Sequence, residues 1–134
     1  MSEQVAQNFI AALGKLEAER DLDTIVALFA DDAEIGNIVA PEKFHGPDGA
    51  REFWGKYRET FGEMKSTFRN RIIGENRAAL EWHTTGTAAN GDGDDAQIEY
   101  EGVSILEIDG DRITRFRAYF NAGDLGRQIT GEKS

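Results

Sequence analysis

The apolar residues of this 134-residue chain change period near Met64, and that change restricts the architectures open to it. Before it, apolar side chains recur every three or four residues. Val5, Phe9, Ala12, Leu13 and Leu16 mark one face of a helix over about Ser2–Glu19, with Ser2 as its cap. Ala50, Phe53, Trp54, Tyr57 and Phe61 mark another, opened by Pro47 and Asp48 and stopped at Gly62. After Met64 the period is two. Phe68, Asn70 and Ile72 alternate with Arg69 and Arg71. Past a Gly74-Glu75-Asn76 turn, Ala78, Leu80, Trp82 and Thr84 alternate with Ala79, Glu81 and His83. The run Asn90–Asp95 is a turn by composition. Strands over Gln97–Ile108 and Arg112–Phe120 flank the hairpin turn Asp109-Gly110-Asp111. One helical turn over Asp124–Ile129 precedes a tail that frays from about residue 130. Helices followed by meandering strands predict an α+β fold with an antiparallel sheet. The length suits a single domain over 1–134, able to bury roughly two-thirds of its unfolded surface without disulfide or metal.

Between the two long helices lies Asp21–Gly36, DLDTIVALFADDAEIG. Asp21 and Asp23 are helix-capping residues, and Leu22, Ile25, Val26 and Phe29 give a short helix one apolar face. Asp31 and Asp32 stop it, and Ala33–Val39 reads as a strand leaving the helix. A polar loop, Ala40–Gly46, follows and carries His45.

Four stretches carry a family resemblance. DLDTIVALFADDAE resembles the ketosteroid isomerases. HGPDGAREFW resembles the loop-to-helix segment of SnoaL-like proteins, and ALEWHTTGTA with EYEGVSILEIDGDRITRFRAYFN resembles their last three strands. In order and spacing the chain is similar to the nuclear transport factor 2-like superfamily over about Val5–Ile129. The resemblance implies a cone: a curved antiparallel (mixed) sheet wrapped around three N-terminal helices, with an apolar pocket inside. It also implies a homodimer through the outer sheet face. It does not imply an activity, because fold does not fix function.

The positions that carry chemistry in those relatives are changed. The isomerase base position falls at Asn37, which cannot abstract a carbon-bound proton. The isomerase tyrosine position falls near Phe9 or Leu13, and its protonated aspartate near Ser104. The last-strand acid of the epoxide hydrolases and cyclases falls at Ala118, and a histidine common two residues earlier is Phe116. Whether the chain is an enzyme is therefore left open. By alternation, Asn37, Asn70, Tyr100 and Ser104 face inward as a thin polar set, in which Asn37, Tyr100 and Ser104 would orient a carbonyl or water or donate to an oxyanion. Trp54, Tyr57, Phe68, Trp82, Phe116, Ala118 and Phe120 complete the expected lining, although aromatic residues at helical spacing more often form core. Such a site suits a small, mostly apolar organic molecule, to be bound, isomerised, cyclised or hydrated. The alternative is a non-catalytic ligand-binding or protein-interaction module. Glu81 and His83 face outward, and His45 is a solvated loop residue.

Composition narrows the partners. With 25 acidic and 15 basic residues the formal charge is −10, which repels nucleic acid and anionic membranes. No apolar run is long enough to span a bilayer, and no signal peptide is visible. There is no cysteine, which fits a cytoplasmic setting. Two separated histidines offer no transition-metal site. A GDGDD run has calcium-loop character, but its twelfth position, counted from Asp92, is Val103 where a glutamate is required. No phosphate-binding glycine loop occurs, and neither cofactor nor metal is expected. Arg69, Arg71, Arg112, Arg115 and Arg117 are expected to pair with Glu81, Glu99, Glu101 and Glu107 across exposed strand faces.

Overall fold

A computed structural model of the chain describes residues 2–39, 43–89 and 95–130. Helix α1 spans Ser2–Glu19, with Val5, Phe9, Ala12, Leu13 and Leu16 buried as the period requires. Ser2 does not cap it; its hydroxyl donates instead to the Glu75 carbonyl at 2.6 Å, tying the helix start to a strand turn. Arg20, in the left-handed region at φ 58°, ends the helix, and the Asp21 amide closes back on Lys15 O.

Helix α2 is shorter than the sequence pattern indicates. It covers only Leu22–Val26, capped by Asp21, whose carboxylate accepts from the Thr24 amide (3.2 Å) and hydroxyl (2.6 Å). Phe29 does not continue the helix. It opens strand β1, Phe29–Asn37, so Asp31 and Asp32 lie within the strand and Ile38 and Val39 in the turn after it. Phe29 is fully buried in either reading, so burial alone does not distinguish helix from strand at this position. A two-residue strand, β2 (Phe44–His45), then pairs with β1 and leads into α3, Gly46–Thr60. That helix runs directly into β3, Phe61–Ile73, with no separate stop at Gly62.

Strands β4 (Arg77–Ala89), β5 (Asp95–Asp109) and β6 (Arg112–Phe120) complete a six-stranded sheet of order β2-β1-β6-β5-β4-β3. Every pairing is antiparallel except β1 with β6, so the sheet is mixed. The expected turn over Asn90–Asp95 lies largely outside the described residues. Gly110, at φ 63°, supplies the left-handed conformation that the β5–β6 hairpin needs. Gly102 faces Trp82 across β4 and β5. A Cβ there would meet Tyr119 O at 2.2 Å and the Trp82 ring at 2.8 Å, so only glycine lets that indole lie across the strand. Register shifts interrupt β1–β6, β3–β4 and β5–β6. Such bulges bend and twist a sheet. The concave face closes over α1 and α3.

The β3 bulge corrects the sequence reading. Phe68 faces Trp82, but the next paired residue is Asn70, opposite Glu81. Arg69 is the extra residue, and one extra residue reverses the side to which everything after it points. Asn70 therefore lies on the outer face, exposed and hydrogen-bonded to Glu81. Ile72 is 69% exposed on that face instead of buried.

Helix α4, Ala122–Thr130, is longer than the single turn expected. Gln128 holds it to β5: its Oε1 accepts from the Glu99 amide (2.7 Å) and its Nε2 donates to the Glu99 carbonyl (2.8 Å). The last β6 partner on β5 is Gly102, so the Glu99 backbone lies beyond β6 and Gln128 supplies its partners. No helix among the described residues is long and apolar enough to cross a membrane.

Candidate functional site

The concave sheet face and α1, α3 and α4 line a cavity of about 380 Å³ that opens to solvent. Helix α1 contributes Phe9 and Leu13, the two positions where the isomerases' tyrosine was expected. Helix α3 contributes Trp54 and Tyr57, and α4 closes one side with Leu125 and Ile129. Of the expected lining, Asn37, Trp54, Tyr57, Trp82, Tyr100, Ser104, Phe116, Ala118 and Phe120 meet on this one cavity. Phe68 and Asn70 are not part of it. Phe68 is half-buried against the surrounding core, and Asn70 is turned outward by the bulge.

The apolar walls are a continuous aromatic assembly. Trp54 lies 5.8 Å from Phe9, 5.5 Å from Tyr57 and 5.0 Å from Phe116, centroid to centroid. Trp82 and Phe120 pack against Tyr100 at 5.3 and 5.5 Å, and Phe61 stacks on it at 6.0 Å. The tilted and edge-on pairs add to burial and hold the rings in fixed orientations. The Trp54 indole N–H is buried and has no hydrogen-bond partner among the described residues.

Polar groups concentrate around one carboxylate that the sequence reading did not single out. Glu17, in the last turn of α1, is 5% exposed. Its Oε2 accepts from the Tyr57 hydroxyl (2.9 Å) and the Ser66 hydroxyl (2.6 Å), and its Oε1 from the Ser66 amide (2.9 Å). Ser66 in turn lies 2.7 Å from the Thr84 hydroxyl. Across the cavity, Trp82 Nε1 donates to Ser104 Oγ at 2.9 Å. Burial, and then the Glu17 charge, push the Tyr57 phenol well above its ordinary range; the same two causes raise Tyr100. Both are neutral hydrogen-bonding groups at physiological pH and not phenolate bases. The signal for Glu17 was present but weak: it lies one position past Leu16, at the edge of the apolar stripe, where a glutamate ordinarily points to water.

Beside Glu17, Arg58 is also buried. Its guanidinium donates to Leu16 O (3.1 Å), Phe61 O (2.8 Å) and Gly62 O (2.8 Å). Burial and Arg20 lower its proton affinity, while Glu17 and Tyr57 oppose them.

Asn37 stands half-buried at the end of β1, opposite Ala118 of β6. Its Oδ1 accepts from the Val39 amide at 2.9 Å, so part of the side chain shapes the turn leaving the strand. His83 points away from the cavity and contacts Glu99 at 2.7 Å in a shallow polar groove beside α4. His45 is exposed immediately before α3 and makes no side-chain cap there. The arginines pair only partly as expected. Arg69 meets Glu101, and Arg115 meets Glu107, but Arg115 and Arg117 also share Glu34 of β1. Among the described residues, no group of three or more histidine, aspartate or glutamate side chains is placed to hold a metal ion.

Comparison with known proteins follows this geometry. A family model described as the SnoaL-like domain matches residues 6–116. No curated protein matches the chain by sequence. Many solved structures share the fold. An NTF2-like protein of unknown function from Burkholderia pseudomallei K96243 superposes with a TM-score of 0.80 at 19% identity, covering 96% of this chain and 97% of its own. A protein with a ketosteroid isomerase-like fold from Catenulispora acidiphila DSM 44928, solved with trimethylamine, gives 0.76 at 13% identity, covering 90% and 91%. TerC, co-crystallised with polyporic acid, gives 0.76 at 16% identity, covering 96% and 97%. At these identities the likeness establishes the fold alone.

Proposed function

The chain belongs to the SnoaL-like domain family, and from that premise we propose that its cavity binds a small, mostly apolar organic molecule. The observation that carries this reading is the cavity itself: about 380 Å³, walled by aromatic rings, with a few hydroxyls converging on it. That size and chemistry are those of a small-molecule site. The ligands named for two similar folds, trimethylamine and polyporic acid, support an organic occupant. The formal charge of −10 favours such a partner over nucleic acid, and the absence of cysteine supports a cytoplasmic setting. The reactions open to the site are isomerisation, cyclisation or hydration, with Ser104 and Tyr100 donating to a developing oxyanion. A thermal-shift screen of aromatic and alicyclic carbonyl compounds tests the reading. Saturable stabilisation by one class supports it; a flat response across the panel overturns it.

Asn37 is assigned to ligand contact at the cavity rim. Asn37→Ala should weaken binding of a ligand found in that screen by about 1–3 kcal/mol. Because Oδ1 also holds the Val39 amide, Asn37→Asp is the companion variant: it retains that acceptor, replaces the amide NH2 by a second carboxylate oxygen and adds a negative charge. Unchanged affinity in Asn37→Ala makes the residue purely structural.

The outer sheet face is assigned to a homodimer. Ile72, Ala79 and Ile105 lie in register there, beside Val103 and Tyr119, and charged side chains border them. Ile72 and Tyr119 are 69% and 43% exposed in the single chain. Arg117→Glu sets a second carboxylate beside Glu34, whereas Lys15→Glu changes an exposed site on α1. Light scattering should show the first variant dissociating at a higher concentration than the second. A wild-type protein that is monomeric at micromolar concentration rules the dimer out.

A further inference from the structure

The hydroxyls around Glu17 have a direction. Two of the three donors that meet this carboxylate are the side chains of Tyr57 and Ser66, and the third is the Ser66 amide. The Ser66 amide can only donate, and toward a carboxylate at Glu17 both hydroxyls donate as well. The Ser66 hydrogen is thereby committed to Glu17. In the 2.7 Å contact between Ser66 and Thr84 the donor must then be Thr84. Tyr57 and Thr84 both line the cavity, and each is left with oxygen lone pairs and no hydrogen to give. The other wall is the reverse. Ser104 accepts from the Trp82 indole, so its own hydrogen is available, and the Tyr100 hydroxyl donates to nothing among the described residues.

We propose that Glu17 sets the polarity of the cavity, so that Tyr57 and Thr84 accept a hydroxyl or N–H from the ligand while Ser104 and Tyr100 donate to its carbonyl. The site then selects small aromatic or alicyclic compounds that carry both a hydroxyl and a carbonyl, and it discriminates against the corresponding ethers. Methylating the ligand hydroxyl removes the only hydrogen the Tyr57–Thr84 wall can take, leaving two desolvated acceptors facing each other. This inference rests on the reading of the cavity as a small-molecule site.

Calorimetric titration with 2-naphthol and 2-methoxynaphthalene tests it, because the two probes share a ring system and differ in that one hydrogen. The wild type should prefer the naphthol by about tenfold, the worth of one hydrogen bond with its partner otherwise unpaired. Glu17→Gln should remove or reverse the preference. The amide keeps its carbonyl toward the Ser66 N–H and presents its NH2 to the Tyr57 and Ser66 oxygens. The Ser66 hydrogen then turns to Thr84, and the Tyr57 and Thr84 hydrogens turn into the cavity as donors. Tyr57→Phe, which leaves the buried charge in place, should cut the preference by about threefold or more. Equal affinity of the wild type for both probes overturns the inference and leaves the cavity reading standing. A preference retained in full by both variants also overturns it. Binding of neither probe overturns the inference, and the small-molecule reading falls with it only if the carbonyl panel also gives no stabilisation.

Discussion

Replacing Arg58 with methionine should lower the unfolding free energy by about 3 kcal/mol or more, although methionine keeps an unbranched apolar stem in its place. Arg58 is 7% exposed, and its three carbonyl partners belong to different parts of the chain. Leu16 O lies in the last turn of α1, while Phe61 O and Gly62 O begin β3. One planar guanidinium joins the end of the first helix to the point where the third helix becomes a strand. Lysine cannot replace it, because an ammonium lacks the fixed fork of donors. Without the guanidinium, three carbonyls in a largely dry region lose their partners, each at a cost of about 1–3 kcal/mol before relaxation. Glu17 also loses a nearby positive charge. Urea denaturation of the wild type, Arg58→Met and Arg58→Lys measures this directly. Arg58→Lys should recover less than half of the loss. A loss below about 1 kcal/mol in Arg58→Met shows that water reaches these carbonyls and that the junction does not depend on the side chain.

Ala118→Trp should abolish ligand-induced stabilisation while the domain still folds. Ala118 lies on β6 between Asn37 of β1 and Ser104 of β5, with its methyl group on the cavity. An indole there projects into existing space and occupies the volume that a ligand would take. In a close-packed core the same change forces off-rotamer side chains at a cost of about 1–3 kcal/mol. A ligand held at about a hundred times its dissociation constant stabilises the wild type by about 2.7 kcal/mol, a shift readily seen in melting. The variant should show near wild-type melting without ligand and no shift with it. Retention of the shift places the ligand elsewhere. Outright unfolding means that the space beside Ala118 is not available to a side chain.

Asn37, Ser104 and Ala118, where the family resemblance implies carboxylates, are uncharged, but a carboxylate lies close behind the cavity wall. Glu17 stands behind the lining instead of on it, reaching the interior through Tyr57 and Ser66. A chemical role for it passes through the Tyr57 hydroxyl, whose raised proton affinity suits a neutral hydrogen-bonding relay better than a free base.

The sequence alone was sufficient for the elements that depend on a strong local period. The α1 face, the buried set Ala78, Leu80, Trp82 and Thr84 on β4, and the limits of β6 follow from which positions are apolar, because spacing dictates which side a residue shares. The motifs DLDTIVALFADDAE, HGPDGAREFW and ALEWHTTGTA were sufficient for the family. Where neighbours decide, the sequence was silent or misleading. Asn70 and Ile72 alternate with Phe68 in the chain, but an extra residue at Arg69 reverses them. Only the pairing of β3 with β4 reveals that bulge, since period-two alternation carries no record of a register shift. Phe29 fits a helix face and a strand equally well, and its pairing with Ile113 of β6 decides for the strand. Glu17 and Arg58 read as surface charges by residue type. They are buried because tertiary packing brings hydroxyls and an amide to Glu17, and the Leu16 carbonyl to Arg58, from distant segments. Charge burial depends on those partners, and partners 40 and more residues away in the chain are set by the fold and not by local pattern.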